Sequence, residues 1–185
     1  VKKRSFTVAS FLAACAALIV PEARRYSARI ELNRLEDLIR YANADKNTVR
    51  KKTALLNARD RLNAVVPRLP NDVRPLYFLG VAAQLHGEAR DAIEAFRGSL
   101  SVQERPVVDL ALSRTYQEMG APEEAAALAL RAVWLAPWLL WQIPKPARGA
   151  VRSQIRKLEE DLRGGDASAI PEFPLLDSPP GQDHG

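Results

Sequence analysis

Laid over itself with an offset of 33, the stretch from 73 to 139 repeats its own pattern of small and large residues. Leu79 falls on Leu112, Gly80 on Ser113, Gly87 on Gly120, Ala92 on Ala125 and Ser99 on Ala132. A recurrence held in one frame at this period marks a stack of helical hairpins, because one hairpin cannot bury its apolar face alone and needs a neighbour to cover it. No Val/Ile/Tyr alternation bounded by Asn-Gly or Asp-Gly competes with that reading, so the chain is expected to be all-α.

The small residues have a physical reason. Gly80, Ser113, Ala92 and Ala125 are expected where two helices cross closely, since a larger side chain there pushes the axes apart. Gly87 and Gly120 are expected to end the first helix of each pair in the left-handed conformation that satisfies the last carbonyls. The segments after them carry Glu88, Pro122, Glu123 and Glu124, which suit the first turn of a new helix.

These positions resemble the tetratricopeptide repeat (TPR) family. Its pattern runs from a large residue through Leu-Gly and Tyr to Ala, an aromatic residue and a closing Pro. Leu76, Leu79, Gly80, Ala92 and Phe96 supply it in the first copy. Leu112, Ser113, Tyr116, Ala125, Ala129 and Pro137 supply it in the second. Asp109 and Ala83 depart from it, standing where a bulky apolar residue and a Tyr are usual. The resemblance covers about a third of the chain. It implies a short α-solenoid that binds other proteins, and it says almost nothing of which ones.

Charge divides the chain. Residues 1–21 carry +3, 22–70 carry +6, the repeats at 71–143 carry −3, 144–163 carry +3 and 164–185 carry −4. A nucleic-acid-binding surface would be more uniformly basic, so no nucleic acid is expected. The first residue, Val1, is read as a non-AUG start, which suits a bacterial gene.

Lys2-Lys3-Arg4 precedes an uncharged run from Phe6 to Val20, followed by Pro21-Glu22. A basic cluster before an apolar run is a signal for export or membrane insertion. An uncleaved membrane anchor through residues 6–20 is favoured, its shortness offset by snorkelling flanks and a thinned bilayer. The sequence Leu12-Ala13-Ala14-Cys15 resembles a bacterial lipobox, which makes Cys15 a lipidation candidate. Cleavage near Ala14–Ala17 and a buried core helix are the other readings. An inner-membrane anchor with the amino terminus inside leaves the repeats in the periplasm.

Residues 22–70 form a degenerate two-helix hairpin in this reading, with Ala23, Tyr26, Ile30, Leu35, Leu38, Ile39 and Ala42 on the first stripe. Val49, Leu55, Leu56, Ala58, Leu62, Val65 and Val66 follow on the second. The basic runs Arg24-Arg25 and Arg50-Lys51-Lys52 are read as a solvated face or as a contact for anionic lipid heads or an acidic partner. Pro144 and Pro146 open a capping helix at 144–163, with Ala147, Val151, Ile155, Leu158 and Leu162 inward. The tail at 164–185 is expected to be disordered, with Phe173, Leu175 and Leu176 either a short docking motif or part of a plain spacer.

No catalytic constellation is readable. Cys15 is the only cysteine, and neither His86 nor His184 has partners at metal-ligand spacing. No Gly-rich phosphate loop and no nucleophile with an adjacent base is present. The chain is therefore expected to be neither an enzyme nor the holder of a metal or cofactor.

In the TPR family the first helix of each hairpin lines the concave face. That resemblance implies a partner-binding surface of Arg74, Tyr77, Phe78, Val81 and Gln84 from one unit. Val107, Leu110, Ala111, Arg114 and Gln117 come from the next. The Asn and Lys with which some members clamp a terminal carboxylate are absent from these positions. Such a surface suits an amphipathic helix or apolar peptide, with an acid reaching Arg114. Alternatively, the chain's own first hairpin or last helix fills it. Trp134 is expected in the core. Trp138 and Trp141 are expected either beneath the last helix or at a membrane or partner interface, Trp141 being the more exposed. The expected function is a non-enzymatic scaffold tethered to a bacterial membrane. A subunit permanently built into a membrane complex and a soluble periplasmic chaperone are the alternatives.

Overall fold

A computed structural model describes the backbone of residues 2–166 and the side chains from Ala17 onward, Leu18 excepted. The side chains of most of the apolar run, Cys15 among them, lie outside the described residues. So does the chain from 167, with Phe173, Leu175, Leu176 and His184.

Among the described residues the chain is helical throughout and contains no strand. The helices are α1 (Lys2–Ala44), α2 (Thr48–Val65), α3 (Arg74–His86), α4 (Ala89–Val102), α5 (Pro106–Glu118), α6 (Pro122–Leu135) and α7 (Lys145–Arg163). Two 3-10 segments, Val66–Arg68 and Pro137–Gln142, join α2 to α3 and α6 to α7. The helices pack as a bundle in which each touches the one before it. In addition α1 touches α3, and α3 touches α5.

Pro21 lies inside α1. The composition there marks a boundary, yet α1 runs through it. Proline removes one intrahelical bond and crowds the preceding turn, but the helix carries on at both sides. Side chains 17 and 19–27 of this stretch are all exposed, and the first buried one is Ala28. The core stripe of α1 is Ala28, Leu32, Leu35, Ile39 and Ala42. Tyr26 and Ile30, expected inward, are 67% and 39% exposed, because the stripe rotates away from them before α2 begins to cover the helix. In α2, Leu55, Ala58, Leu62 and Val65 are buried, whereas Val49 and Leu56 face out. The Asn47 side chain caps α2 by accepting from the Arg50 backbone N–H at 3.0 Å.

The 33-residue offset reaches the hydrogen bonds. At the end of α3 the Glu88 N–H donates to the Ala83 carbonyl at 2.9 Å, and Gly87 N–H to Gln84 at 3.0 Å. At the end of α5 Ala121 donates to Tyr116 at 3.0 Å, and Gly120 to Gln117 at 3.2 Å. This paired arrangement closes a helix on a left-handed residue, and Gly87 and Gly120 have φ of 93° and 78°. Gln103 to Ser99 and Ala136 to Ala132 close α4 and α6 in the same frame.

The crossing positions behave as their size requires. A Cβ on Gly80 would lie 2.6 Å from the Phe96 ring, so only glycine admits that buried phenylalanine between α3 and α4. At the equivalent point the Ser113 hydroxyl donates to the Ala125 carbonyl at 2.6 Å. The bundle closes with Leu139, Ile143 and Val151 buried on Ala129, Ala132 and Val133. Ala147 and Ile155 pack beside them, while Arg152 and Arg156 of α7 stay exposed.

Candidate functional site

The first helix of each hairpin contributes to one surface. Tyr77 of α3 is half-buried, its ring edge-on to Phe78 at 5.2 Å and tilted towards Phe96 at 6.0 Å. Burial pushes its phenol above the ordinary tyrosine value, and Arg114, Glu36 and Arg40 are close enough to act on it. Three helices thus converge there, with Glu36 and Arg40 from α1 and Arg114 from α5. The α1 residues escape a reading of the sequence because that hairpin lacks the Leu-Gly and Ala markers that set the frame. Glu36 and Arg40 form an i, i+4 pair at 2.5 Å. Gln84 ties α3 to α5 by donating to Glu118 at 3.0 Å.

The other expected groove residues divide. Gln117 is exposed, and Val107 is 42% exposed. Phe78 and Val81 are half-buried and pack against the core formed by α1 and α2. Leu110 and Ala111 are buried, since the α5 stripe facing α6 is broader than its α3 counterpart. Arg74 is tied up within its own chain, although Glu36 also acts on it through space. It is held at the start of α3 by a two-point contact with Asp72, its Nη2 donating to Oδ2 at 2.7 Å. The Asp72 carboxylate accepts that hydrogen bond and stays below the usual carboxylate range because of it.

Arg114 is engaged by its own chain, with Nη2 donating to the Gln142 carbonyl at 2.9 Å. That bond draws the 3-10 segment and the start of α7 over the end of α5. They do not fill the space. A mostly apolar cavity of about 490 Å³ remains between α5, α6 and α7, bordered by Leu110, Ala129, Ile143, Ala147 and Val151, with Arg114 and Gln117 at its rim. The surface is therefore part closed at its α5 end.

Of the two positions open to Trp138 and Trp141, the exposed one is found. Trp134 is half-buried. Trp138 and Trp141 are 68% and 67% exposed, so neither lies under α7 and neither exceeds the other. The 3-10 segment turns residues three apart to one side, so Ala136 and Leu139 face inward while Trp138 and Trp141 share the outer side, and Ile143 is buried just after the segment ends. Arg148 and Arg152 stand over the Trp141 ring as cation–π partners. Their guanidinium carbons are 5.2 Å and 5.8 Å from its centre.

One buried ionisable group stands apart. Asp109 has no exposed surface, and neither carboxylate oxygen has a hydrogen-bond partner. Burial raises its pKa to about 6, against the pull of Arg131. The Arg131 Nε is 3.8 Å from its Oδ2. Among the described residues no cluster of His, Cys, Asp and Glu is arranged to hold a metal ion. Among them, too, no helix is long and apolar enough to cross a membrane.

No family model matches the chain, and no curated protein or solved structure is significantly similar to it.

Proposed function

We propose that this protein is a non-enzymatic scaffold that holds or assembles other proteins. In this reading α1 to α6 are three TPR-like hairpins of a short solenoid, and α7 is its cap. The carrying observation is the repetition of turn and helix-end hydrogen bonds at one offset, together with the contacts α1–α3 and α3–α5 that align the first helices on one face. A partner of the scaffold is an amphipathic helix or apolar peptide laid along Tyr77, Val107 and Gln117, where apolar contact dominates and Glu36 and Arg40 orient charge. The tether is residues 6–20, and its support is the exposed stretch of α1 that continues from that run to the packed body without a break in the helix.

Fractionation tests the tether. The full chain is expected in the membrane pellet and should leave it only with detergent. Release by buffer alone would overturn the tether and leave the soluble periplasmic chaperone. Purification from detergent at high salt then separates a scaffold, with exchanging partners, from a permanent subunit with fixed stoichiometry.

A further inference from the structure

Five arginines from distant parts of the chain meet in one cleft. Arg25 and Arg29 come from α1, Arg68 from the 3-10 segment after α2, Arg74 from the start of α3 and Arg105 from the residue before α5. The cleft encloses about 380 Å³, and its only lining acid is Asp72. Arg68 Nη2 donates to the Arg24 carbonyl at 3.0 Å and to Ser27 Oγ at 2.5 Å, which pins the cleft floor to α1. Asp72 engages Arg74, and Glu22 takes Arg25 at 2.8 Å. Arg105 has a long contact to Gln103 at 3.4 Å and acts on Asp72 only through space, with no ion pair between them. Arg29 makes no ion pair or hydrogen bond among the described residues. Each guanidinium carries five donors, so many remain free, and two acids leave the five cations with a clear positive excess.

Repulsion among such groups opposes folding unless an anion sits between them. The forked donors suit phosphate oxygens two at a time. The position of the cleft indicates who supplies the phosphate. Arg25 and Arg29 follow Val20, the end of the apolar run, by five and nine residues in one unbroken helix. At about 1.5 Å per residue they stand about 8 and 14 Å beyond it. The headgroup layer is about 5–8 Å deep on each side of a bilayer, and an arginine side chain spans the difference.

We propose that this cleft binds the phosphate of an anionic lipid headgroup at the membrane surface. The phosphate chemistry rests on the cleft alone, and the lipid as its source rests on the tether proposed above. Arg29 and Arg105 are the two cations with least internal engagement and are the binding residues of first importance. Arg68 and Arg74 position the site.

The test uses the full chain purified in a neutral detergent and measures retained lipid by native mass spectrometry. Short-chain phosphatidylglycerol, short-chain phosphatidylcholine and inorganic phosphate are offered separately. Phosphatidylglycerol should be retained in preference to phosphatidylcholine, and inorganic phosphate should compete with it. R29E/R105E should lower that retention about ten-fold or more, with helix content unchanged because both side chains are exposed. R156E/K157E makes the same change of charge on exposed residues of α7, outside the cleft, and should leave retention as it was. Equal loss in both variants would mean that net charge alone acts and would overturn the cleft. Binding of inorganic phosphate without phosphatidylglycerol would overturn the lipid as source. A chain that fractionates as soluble yet still binds phosphate in an Arg29-dependent way would sink the tether and leave the anion site standing. A chain held in membranes with unaltered lipid retention in R29E/R105E would do the reverse.

Discussion

The hairpins α3–α4 and α5–α6 share one frame, yet they fill it with different chemistry. Where α3 has Gly80 and α4 has Phe96, the second hairpin has Ser113 and Ala129. One pair packs a ring on bare backbone, and the other closes the same crossing through a hydroxyl bonded to Ala125. A second pair changes with it. Gly98 faces Leu76, whose Cδ1 would be 3.5 Å from an added Cβ. Their counterparts are Arg131 and Asp109, which face each other at 3.8 Å. Both partners have changed in each case, so the spacing of the helices survives while its cause does not. A backbone frame can thus be kept by volume and satisfaction at a site rather than by residue identity.

The largest effect should come from breaking the first pair. Phe96→Ala should cost about 3–5 kcal/mol, because the cavity it leaves lies against glycine and cannot fill. Gly80→Ser should cost about 1–3 kcal/mol by driving its Cβ into the ring. Gly80→Ser combined with Phe96→Ala imports the solution of the second hairpin and should cost less than the sum of the single changes. Urea unfolding of the four proteins measures this. Strict additivity would show that the two sites are not one crossing.

Next comes the charged pair. The pKa of Asp109 is raised in the folded state, so between pH about 4 and 6 the folded chain binds more protons than the unfolded one. Stability from this group is therefore full below its unfolded value and is lost as pH rises through about 6. The rise from the ordinary carboxylate value corresponds to about 3 kcal/mol. Asp109→Asn should flatten that fall without a matching change at Leu76. An unaltered pH profile of thermal unfolding would mean that Asp109 is solvated after all.

The turns should respond alike in both hairpins. Gly87 and Gly120 both have positive φ. A Cβ placed there by Gly87→Ala or Gly120→Ala should cost about 1–2 kcal/mol in each case. Unequal midpoints in chemical unfolding would break the equivalence. The smallest effects belong to Trp138 and Trp141, whose rings are exposed. Trp138→Ala should stay within about 0.5 kcal/mol, as surface substitutions do, and Trp141→Ala should cost about 0.5–1 kcal/mol through its cation–π contacts. A midpoint strongly lowered by either would show that its ring is covered.

How much of this is legible in sequence depends on the kind of signal. Gly87, Gly120, Gly80 and Ser113 are readable because backbone conformation and close approach admit few residue types. The inward stripe of α1 misleads at Tyr26 and Ile30, because helical periodicity states which residues share a face but not where a neighbouring helix begins to cover it. Trp138 and Trp141 invite a core place by their hydrophobicity, while Leu139 takes it by the three-residue turn of the 3-10 segment. On the candidate surface, Tyr77 and Arg114 lie near one another, and Arg74 is paired with Asp72, two residues away. The arginine cleft is invisible as a unit, since Arg25, Arg68 and Arg105 are separated by long stretches of chain.

The central claim is that the face shared by α1, α3 and α5 holds a protein partner while the opposite side does not. A photo-crosslinking residue placed at Gln117, exposed on α5, tests it against the same probe at Arg90, exposed on α4. Both probes are carried in the full chain in native membranes. The account predicts a discrete crosslinked product from Gln117 that is absent from Arg90. Equal products from both positions, or none from Gln117, would contradict it.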